Sequence, residues 1–123
     1  MDSAGQLQLA IVDDDDSVRK SLRRILDSSG YRTCAFASGE EFLSSGHDGC
    51  FDCLILDIRM PGMTGFELQQ KLEASGSTMP IIFVTADPDP CVQFNNNRRK
   101  APVLRKPFEA ATLITAIRAA TIG

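Results

Sequence analysis

Three features that assign many proteins to a class are missing from this sequence. No apolar run approaches the roughly 20 residues that span a membrane. The N-terminus has neither the basic region nor the apolar stretch of a secretory signal peptide. Positive charge is not in excess, because the formal net charge is −3, and a negatively charged protein is poorly suited to bind nucleic acid. We therefore predict a cytoplasmic protein that acts neither at a membrane nor directly on nucleic acid.

Cysteine and histidine are scarce, with four cysteines and one histidine in 123 residues. Cys50 and Cys53 form a Cys-x-x-Cys pair close to His47. A redox pair would begin a helix, whereas this pair leads into a predicted strand. A zinc site would need a second closely spaced pair of ligands, which the sequence lacks. We interpret the cysteines as small apolar residues, buried or half-buried in a reduced protein.

The length and the alternation of patterns indicate a single α/β domain spanning residues 1–123. Short apolar runs typical of strands occupy residues 7–12, 31–36, 53–56, 81–84 and 101–104. Helical patterns occupy residues 17–29, 38–44, 64–75 and 108–121, and a short or irregular fourth helix is expected within the proline- and asparagine-rich residues 87–101. Strands that alternate with helices predict a parallel five-stranded sheet covered by five helices. We expect no output module among these residues.

The most informative stretch is the third predicted strand with the turn after it. Residues 53–56 form a continuous apolar run that leads directly into Asp57, and Pro61 and Gly62 then turn the chain. A run of this kind predicts a strand that is buried on both faces. Asp57 would therefore lie where the strand leaves the sheet, at the edge where open α/β sheets bind ligands.

Polar groups follow three of the other predicted strands as well. Asp13 and Asp14 follow the first, Thr85 ends the fourth and Lys106 follows the fifth. In a parallel sheet these ends share one edge, where three carboxylates repel one another unless a cation joins them. Hard oxygen ligands suit Mg²⁺, and a hydroxyl and an ammonium group would complete a site for a phosphoryl group. Asp57 would then be the nucleophile, and the product would be an aspartyl phosphate.

Asp15 and Asp16 are interpreted separately from the two acids before them. They stand at the start of the first predicted helix, where a carboxylate accepts hydrogen bonds from free backbone N–H groups and interacts favourably with the helix dipole. Arg19 and Lys20 lie between the apolar positions of that helix. This spacing predicts that both basic side chains face solvent.

Four segments together carry a resemblance to a known family. They are Val12-Asp13-Asp14-Asp15, residues 56–65, Val84-Thr85-Ala86 and Lys106-Pro107-Phe108. In this order and at these spacings, they make the whole chain resemble the receiver domain of bacterial two-component response regulators. Residues 17–22 resemble most closely the regulators that carry a helix-turn-helix output domain. The fold that the resemblance implies is flavodoxin-like, with strand order 2-1-3-4-5.

The resemblance also implies the chemistry of the site. Asp57 is the phosphoacceptor, and a histidine kinase is the phosphoryl donor. Thr85 contacts the transferred phosphoryl group, and its movement begins the switch. Lys106 pairs with the phosphate, commonly beside a cis peptide bond to Pro107. The domain then acts on an output domain or a downstream protein, with regulation of transcription as the expected result, and phosphorylation could bring two copies of the chain together.

A Mg²⁺ site follows from the same resemblance. Asp14 ligates the ion directly, together with the phosphoacceptor Asp57, and Asp13 assists, usually through water. The backbone carbonyl of Arg59 is a further metal ligand. No other cofactor is implied.

Two departures from the family pattern leave an alternative open. Val103 occupies the position of an aromatic residue that usually swings inward with the threonine, and residues 87–101 are irregular. The alternative is an interaction module with the receiver fold that works without phosphorylation. A hydrolase of the haloacid dehalogenase type would need a general acid two residues after its nucleophile, where this chain has Arg59. We therefore expect a signalling switch and not an enzyme.

Overall fold

A computed structural model describes residues 7–46, 51–86 and 102–121 of the chain. The strands are β1 (Gln8–Val12), β2 (Arg32–Phe36), β3 (Cys53–Asp57), β4 (Ile81–Thr85) and β5 (Val103–Arg105). The described helices are α1 (Asp16–Ser28), α2 (Gly39–Ser44), α3 (Gly65–Ala74) and α4 (Ala110–Thr121). The irregular helix predicted within residues 87–101 lies outside the described residues. None of the four described helices has the length and apolar character of a membrane span.

The five strands form one parallel sheet in the order β2-β1-β3-β4-β5, which confirms the predicted topology. The chain first moves outward from β1 to β2, and it then crosses back to β3 and continues the other way to β5. Because the direction of winding reverses between β1 and β3, the loops after these two strands lead to opposite faces of the sheet. A fold of this type binds its ligands in the crevice that this reversal leaves.

The inner strands β1, β3 and β4 are almost entirely buried, whereas the edge strands β2 and β5 are partly exposed. In β3, alternate side chains face opposite layers. Leu54 and Leu56 join the core cluster that includes residues of α2 and α3, while Cys53 and Ile55 join the cluster that includes residues of α1 and α4. A continuous apolar run is required because helices cover both faces of the strand. The prediction of a doubly buried strand that ends at Asp57 is therefore confirmed.

Side-chain caps determine where the helices that follow β1 and β3 begin. Asp15 is the N-cap of α1, and its Oδ1 accepts hydrogen bonds from the backbone N–H groups of Ser17 and Val18. Thr64 caps α3 in a capping box, in which its hydroxyl accepts from the N–H of Glu67 and the Glu67 carboxylate accepts from the N–H of Thr64. The capping role predicted for Asp15 is confirmed. Both caps satisfy backbone donors in the loops that follow β1 and β3, which helps to hold those loops in place.

The two described cysteines differ in exposure. Cys53 is fully buried, and burial raises the pKa of its thiol to about 12, so the thiol is uncharged and unreactive near neutral pH. Its interpretation as a small apolar residue is confirmed. The same interpretation is wrong for Cys34, which is exposed because β2 is an edge strand with a neighbour on one side only. Cys50, Cys91 and His47 lie outside the described residues.

Candidate functional site

The polar residues predicted at the strand ends come together along the carboxyl edge of the sheet. Asp13 follows β1, Asp57 ends β3, Thr85 ends β4 and Lys106 follows β5. The last two are joined directly, since the backbone N–H of Lys106 donates to the carbonyl oxygen of Thr85 over 2.7 Å. Residues far apart in the sequence meet here because parallel neighbouring strands end at a common edge.

Asp13, Asp14 and Asp57 form the acidic cluster of the site. One carboxylate oxygen from each residue lies within 4.8 Å of the other two. Asp13 is fully buried, Asp57 is 5% exposed and Asp14 is open to solvent, so the cluster has one side in contact with water. Hard oxygen ligands in this arrangement fit a divalent cation that keeps several of its waters. The structure thus brings together the three carboxylates that the sequence predicted.

Lys106 brings positive charge to this cluster. Its Nζ lies 2.9 Å from Oδ2 of Asp13 and 3.7 Å from Oδ1 of Asp57. The Lys106 side chain is 21% exposed, so water screens these ion pairs only in part. One ammonium group offsets one of the three negative charges, and a divalent cation would neutralise the remainder. The peptide bond from Lys106 to Pro107 is cis, as the resemblance implied.

Thr85 and Arg59 also lie at this edge, whereas Val103 is the first residue of β5. Thr85 is fully buried at the end of β4. The backbone of Arg59 forms a hydrogen bond with the Asp57 carboxylate, while the assignment of its carbonyl oxygen as a metal ligand stays a prediction. Val103, which replaces the usual aromatic residue, is half-buried and packs against the core cluster that includes residues of α2 and α3.

Burial and the neighbouring acids raise the pKa of Asp57 to about 7. Loss of solvent around the carboxylate is the largest cause, and the negative charges of Asp13 and Asp14 act in the same direction. Lys106 and the backbone hydrogen bond from Arg59 lower this pKa but offset only part of the increase. Without a bound cation, Asp57 therefore gains or loses its proton near neutral pH.

The raised pKa predicts how the stability of the metal-free protein depends on pH. The folded state holds the Asp57 proton more tightly than the unfolded state, in which the pKa is near 3.8. The resulting stabilisation is complete below that value and is lost as the pH rises through about 7. In EDTA at pH 8, Asp57→Asn should therefore be more stable than the wild type, by about 2 kcal/mol once solvent screening is allowed for. Urea unfolding of both proteins at pH 5 and pH 8 measures this effect, and an equal difference at the two pH values would contradict it.

One prediction is wrong for a residue that contacts the site. The helical pattern places Arg19 on the solvent face, but its Nη1 donates to the carbonyl oxygen of Asp13 over 2.7 Å, and its Nη2 lies 3.0 Å from Oδ1 of Asp16. The Arg19 side chain is 19% exposed, against 72% for Lys20, which faces solvent as predicted. A signal was present in the sequence, because Arg19 stands three residues before the buried Leu22 and therefore shares its side of α1.

This arrangement agrees with the match of the sequence to a protein-family model. The model for the response regulator receiver domain matches residues 9–118, a span that includes every residue of the site. This chain belongs to that family. As a receiver domain, it is a phosphorylation-dependent signalling switch rather than a typical enzyme.

Individual relatives of the receiver domain agree with this assignment. The transcriptional regulatory protein FixJ from Azorhizobium caulinodans is 39% identical over 114 residues, which cover 92% of this chain and 54% of FixJ. The response regulator protein TmoT from Ectopseudomonas mendocina is 38% identical over 111 residues, which cover 89% of this chain and 50% of TmoT. The chain thus spans about half the length of these relatives. Among solved structures, the response regulator StyR is similar with a TM-score of 0.86 and 39% identity, over 94% of this chain and 59% of StyR.

Proposed function

We propose that this receiver domain accepts a phosphoryl group on Asp57 from a histidine kinase in the presence of Mg²⁺. The observation that carries the proposal is the acidic cluster, with the Lys106 ammonium group 2.9 Å from Asp13 and 3.7 Å from Asp57. Asp57 ends β3, the middle strand of the sheet, which has β1 on one side and β4 on the other. A group attached to Asp57 is therefore flanked by the polar residues at the ends of both neighbouring strands.

The acidic cluster has the ligand chemistry that Mg²⁺ prefers, because its three side chains offer carboxylate oxygens and one side is open to water. We propose that Asp14 and Asp57 bind the ion directly, that Asp13 acts through water, and that the Arg59 carbonyl oxygen is a further ligand. Asp13 suits an indirect role because both of its carboxylate oxygens already accept hydrogen bonds, one from Lys106 and one from a backbone N–H of the following turn. When bound, Mg²⁺ would neutralise oxygens of an incoming phosphoryl group.

The side chains of the domain supply the nucleophile and the contacts that stabilise the transferred group. An ionised oxygen of Asp57 attacks the phosphorus in line with the nitrogen of the donor histidine. A P–O bond forms as the P–N bond breaks, and the electron pair of that bond returns to the imidazole. Lys106 would turn from Asp13 toward one phosphoryl oxygen, and the Thr85 hydroxyl would donate a hydrogen bond to another.

The relatives support a role in the control of transcription. FixJ is named a transcriptional regulatory protein, and the match covers 54% of its length. We propose that the phosphorylated receiver domain, residues 1–123, acts on an output domain or a downstream protein that regulates transcription in the cytoplasm. In this proposal the domain itself contacts neither nucleic acid nor a membrane, and two phosphorylated copies could associate.

Acetyl phosphate tests the proposal without requiring the cognate kinase. We expect intact-mass spectra to show one added phosphoryl group per chain in the presence of Mg²⁺. EDTA should prevent the addition, and hydroxylamine should remove the group because it cleaves acyl phosphates. A folded chain that binds Mg²⁺ but stays unmodified by acetyl phosphate and by phosphoramidate would contradict the proposal. That result would favour an interaction module that works without phosphorylation.

A further inference from the structure

We propose that Arg19 is a positioning residue for the Mg²⁺ site and acts through the backbone of Asp13. This inference rests on the proposed function, because it concerns the same acidic cluster. The Arg19 guanidinium bridges two points of the turn between β1 and α1, namely the Asp13 carbonyl oxygen at 2.7 Å and the Asp16 carboxylate at 3.0 Å. Asp14, the exposed member of the cluster, lies between these two points in the chain.

Asp13 is held at each of its polar groups. Its N–H donates to the carbonyl oxygen of Phe36 over 3.2 Å, and its Oδ1 accepts from the N–H of Asp15 over 2.9 Å. Its Oδ2 accepts from Lys106 over 2.9 Å, and its carbonyl oxygen accepts from Arg19. Of these four partners, Arg19 alone belongs to the body of α1. Its contact therefore fixes the end of β1 against the helix, and with it the orientation of the Asp13 carboxylate.

Arginine is suited to this bridge for a geometric reason. A planar guanidinium donates hydrogen bonds in two fixed directions, whereas a lysine ammonium group acts as a single point. The Arg19 side chain is 19% exposed, so its bond to the Asp13 carbonyl is partly shielded from water. At the other end of the bridge, Nη2 of Arg19 lies 3.0 Å from Oδ1 of Asp16.

The charge of Arg19 and its bridging contacts predict opposite changes in Mg²⁺ affinity when the side chain is removed. A guanidinium near a cation site repels the cation, so the loss of its charge alone would tighten Mg²⁺ binding. The loss of the bridge would release the turn that holds Asp13 and Asp14 toward Asp57, and this would weaken Mg²⁺ binding. Groups that orient metal ligands change affinity by about 10- to 100-fold. We therefore expect Arg19→Ala to weaken Mg²⁺ binding about tenfold.

Titration calorimetry with Mg²⁺ at 25 °C measures this affinity in the unphosphorylated protein. Lys20→Ala is the matched control, because Lys20 is adjacent to Arg19, carries the same charge and also pairs with Asp16, at 3.2 Å, but has a side chain that is 72% exposed. We expect Lys20→Ala to bind Mg²⁺ as the wild type does and Arg19→Lys to fall between the wild type and Arg19→Ala.

Each outcome of the titration has a distinct meaning. A wild type that binds no Mg²⁺ would overturn the proposed function. A wild type that binds Mg²⁺, with Arg19→Ala binding equally or more tightly, would overturn the positioning role alone. If Lys20→Ala lost as much Mg²⁺ affinity as Arg19→Ala, the positioning role would also be overturned. The weaker binding would then be caused by the loss of a positive charge beside Asp16. If circular dichroism shows that Arg19→Ala is unfolded, the Mg²⁺ affinity of Arg19→Lys is measured instead. A wild-type Mg²⁺ affinity in Arg19→Lys would then overturn the inference.

Discussion

Asp57→Asn should abolish phosphoryl uptake from acetyl phosphate, with a loss of more than about 100-fold in modified protein after equal incubation. The amide oxygen of asparagine is neutral and too weak a nucleophile to attack phosphorus, although the side chain has nearly the same shape. The substitution also removes one of the three carboxylates of the acidic cluster. Intact-mass spectrometry of the variant and the wild type, incubated in parallel with Mg²⁺, measures the loss.

Asp52→Asn is the matched control for this experiment. Asp52 stands just before β3, and Asp57 is the last residue of β3, so the two acids lie at opposite ends of the same strand. Asp52 is exposed, and its Oδ2 accepts a hydrogen bond from the N–H of Gln8 over 2.8 Å, which an asparagine oxygen can also accept. We expect wild-type modification of this variant. Wild-type modification of Asp57→Asn, in contrast, would place the phosphoacceptor elsewhere and overturn the proposed function.

Gly65→Ala should lower the free energy of unfolding by about 3 kcal/mol. Gly65 is the first residue of α3, where a Cβ atom would collide with the carbonyl oxygen of Asp57 and lie 3.0 Å from the Cα of Ile58. Both are backbone atoms, so relief requires a shift of either α3 or the end of β3. The N–H of Gly65 also donates to the Ile58 carbonyl oxygen over 2.8 Å, which ties these segments together. Urea unfolding at constant pH measures the loss, and a displaced Asp57 should slow phosphoryl uptake as well.

Gly39→Ala provides the comparison for this steric argument. Gly39 is likewise the first residue of a helix, α2, but a Cβ there would meet chiefly the Met63 side chain, with Sδ at 2.9 Å. A methionine side chain is flexible and can move aside, and alanine also reduces the entropy of the unfolded chain. We expect a change below about 1 kcal/mol. If the two variants lost equal stability, the close approach of α3 to β3 could not be the reason that Gly65 is required.

Much of the fold was predictable because it depends on local patterns. The continuous apolar run of residues 53–56 indicated a strand covered on both faces, and the acid after it had to lie at an exposed edge of the sheet. Once the strands were taken as parallel, Asp13, Asp57 and Lys106 had to lie along one edge of the sheet, and the strand order implied by the family resemblance brought them close together. The capping role of Asp15 was predictable for the same reason, because a cap acts within four residues of itself. The helix predicted within residues 87–101 lies outside the described residues.

The errors came from residues that a local pattern does not distinguish. Arg19 and Lys20 are adjacent and similarly charged, and a coarse helical pattern places both between the apolar positions Val18 and Leu22. A turn of about 100° between them sends one side chain toward the end of β1 and the other into solvent. Cys34 was misjudged because its exposure depends on whether a further strand covers β2. The spacing of Arg19 and Leu22 contained a signal for the first fact, but the exposure of Cys34 is not contained in the spacing of residues along the chain.

Amino-acid order alone was enough to select a parallel α/β fold and to place the acids, the threonine and the lysine at one edge of its sheet, because parallel strands end at a common edge. The strand order that makes these groups neighbours followed from the resemblance to the receiver family. The properties of those groups arise from distances and solvent exclusion in the folded chain. Burial beside Asp13 and Asp14 raises the pKa of Asp57 to about 7, and Arg19 reaches the Asp13 carbonyl only when α1 packs on β1. Likewise, Gly65 must lack a side chain because α3 approaches the backbone of β3 closely.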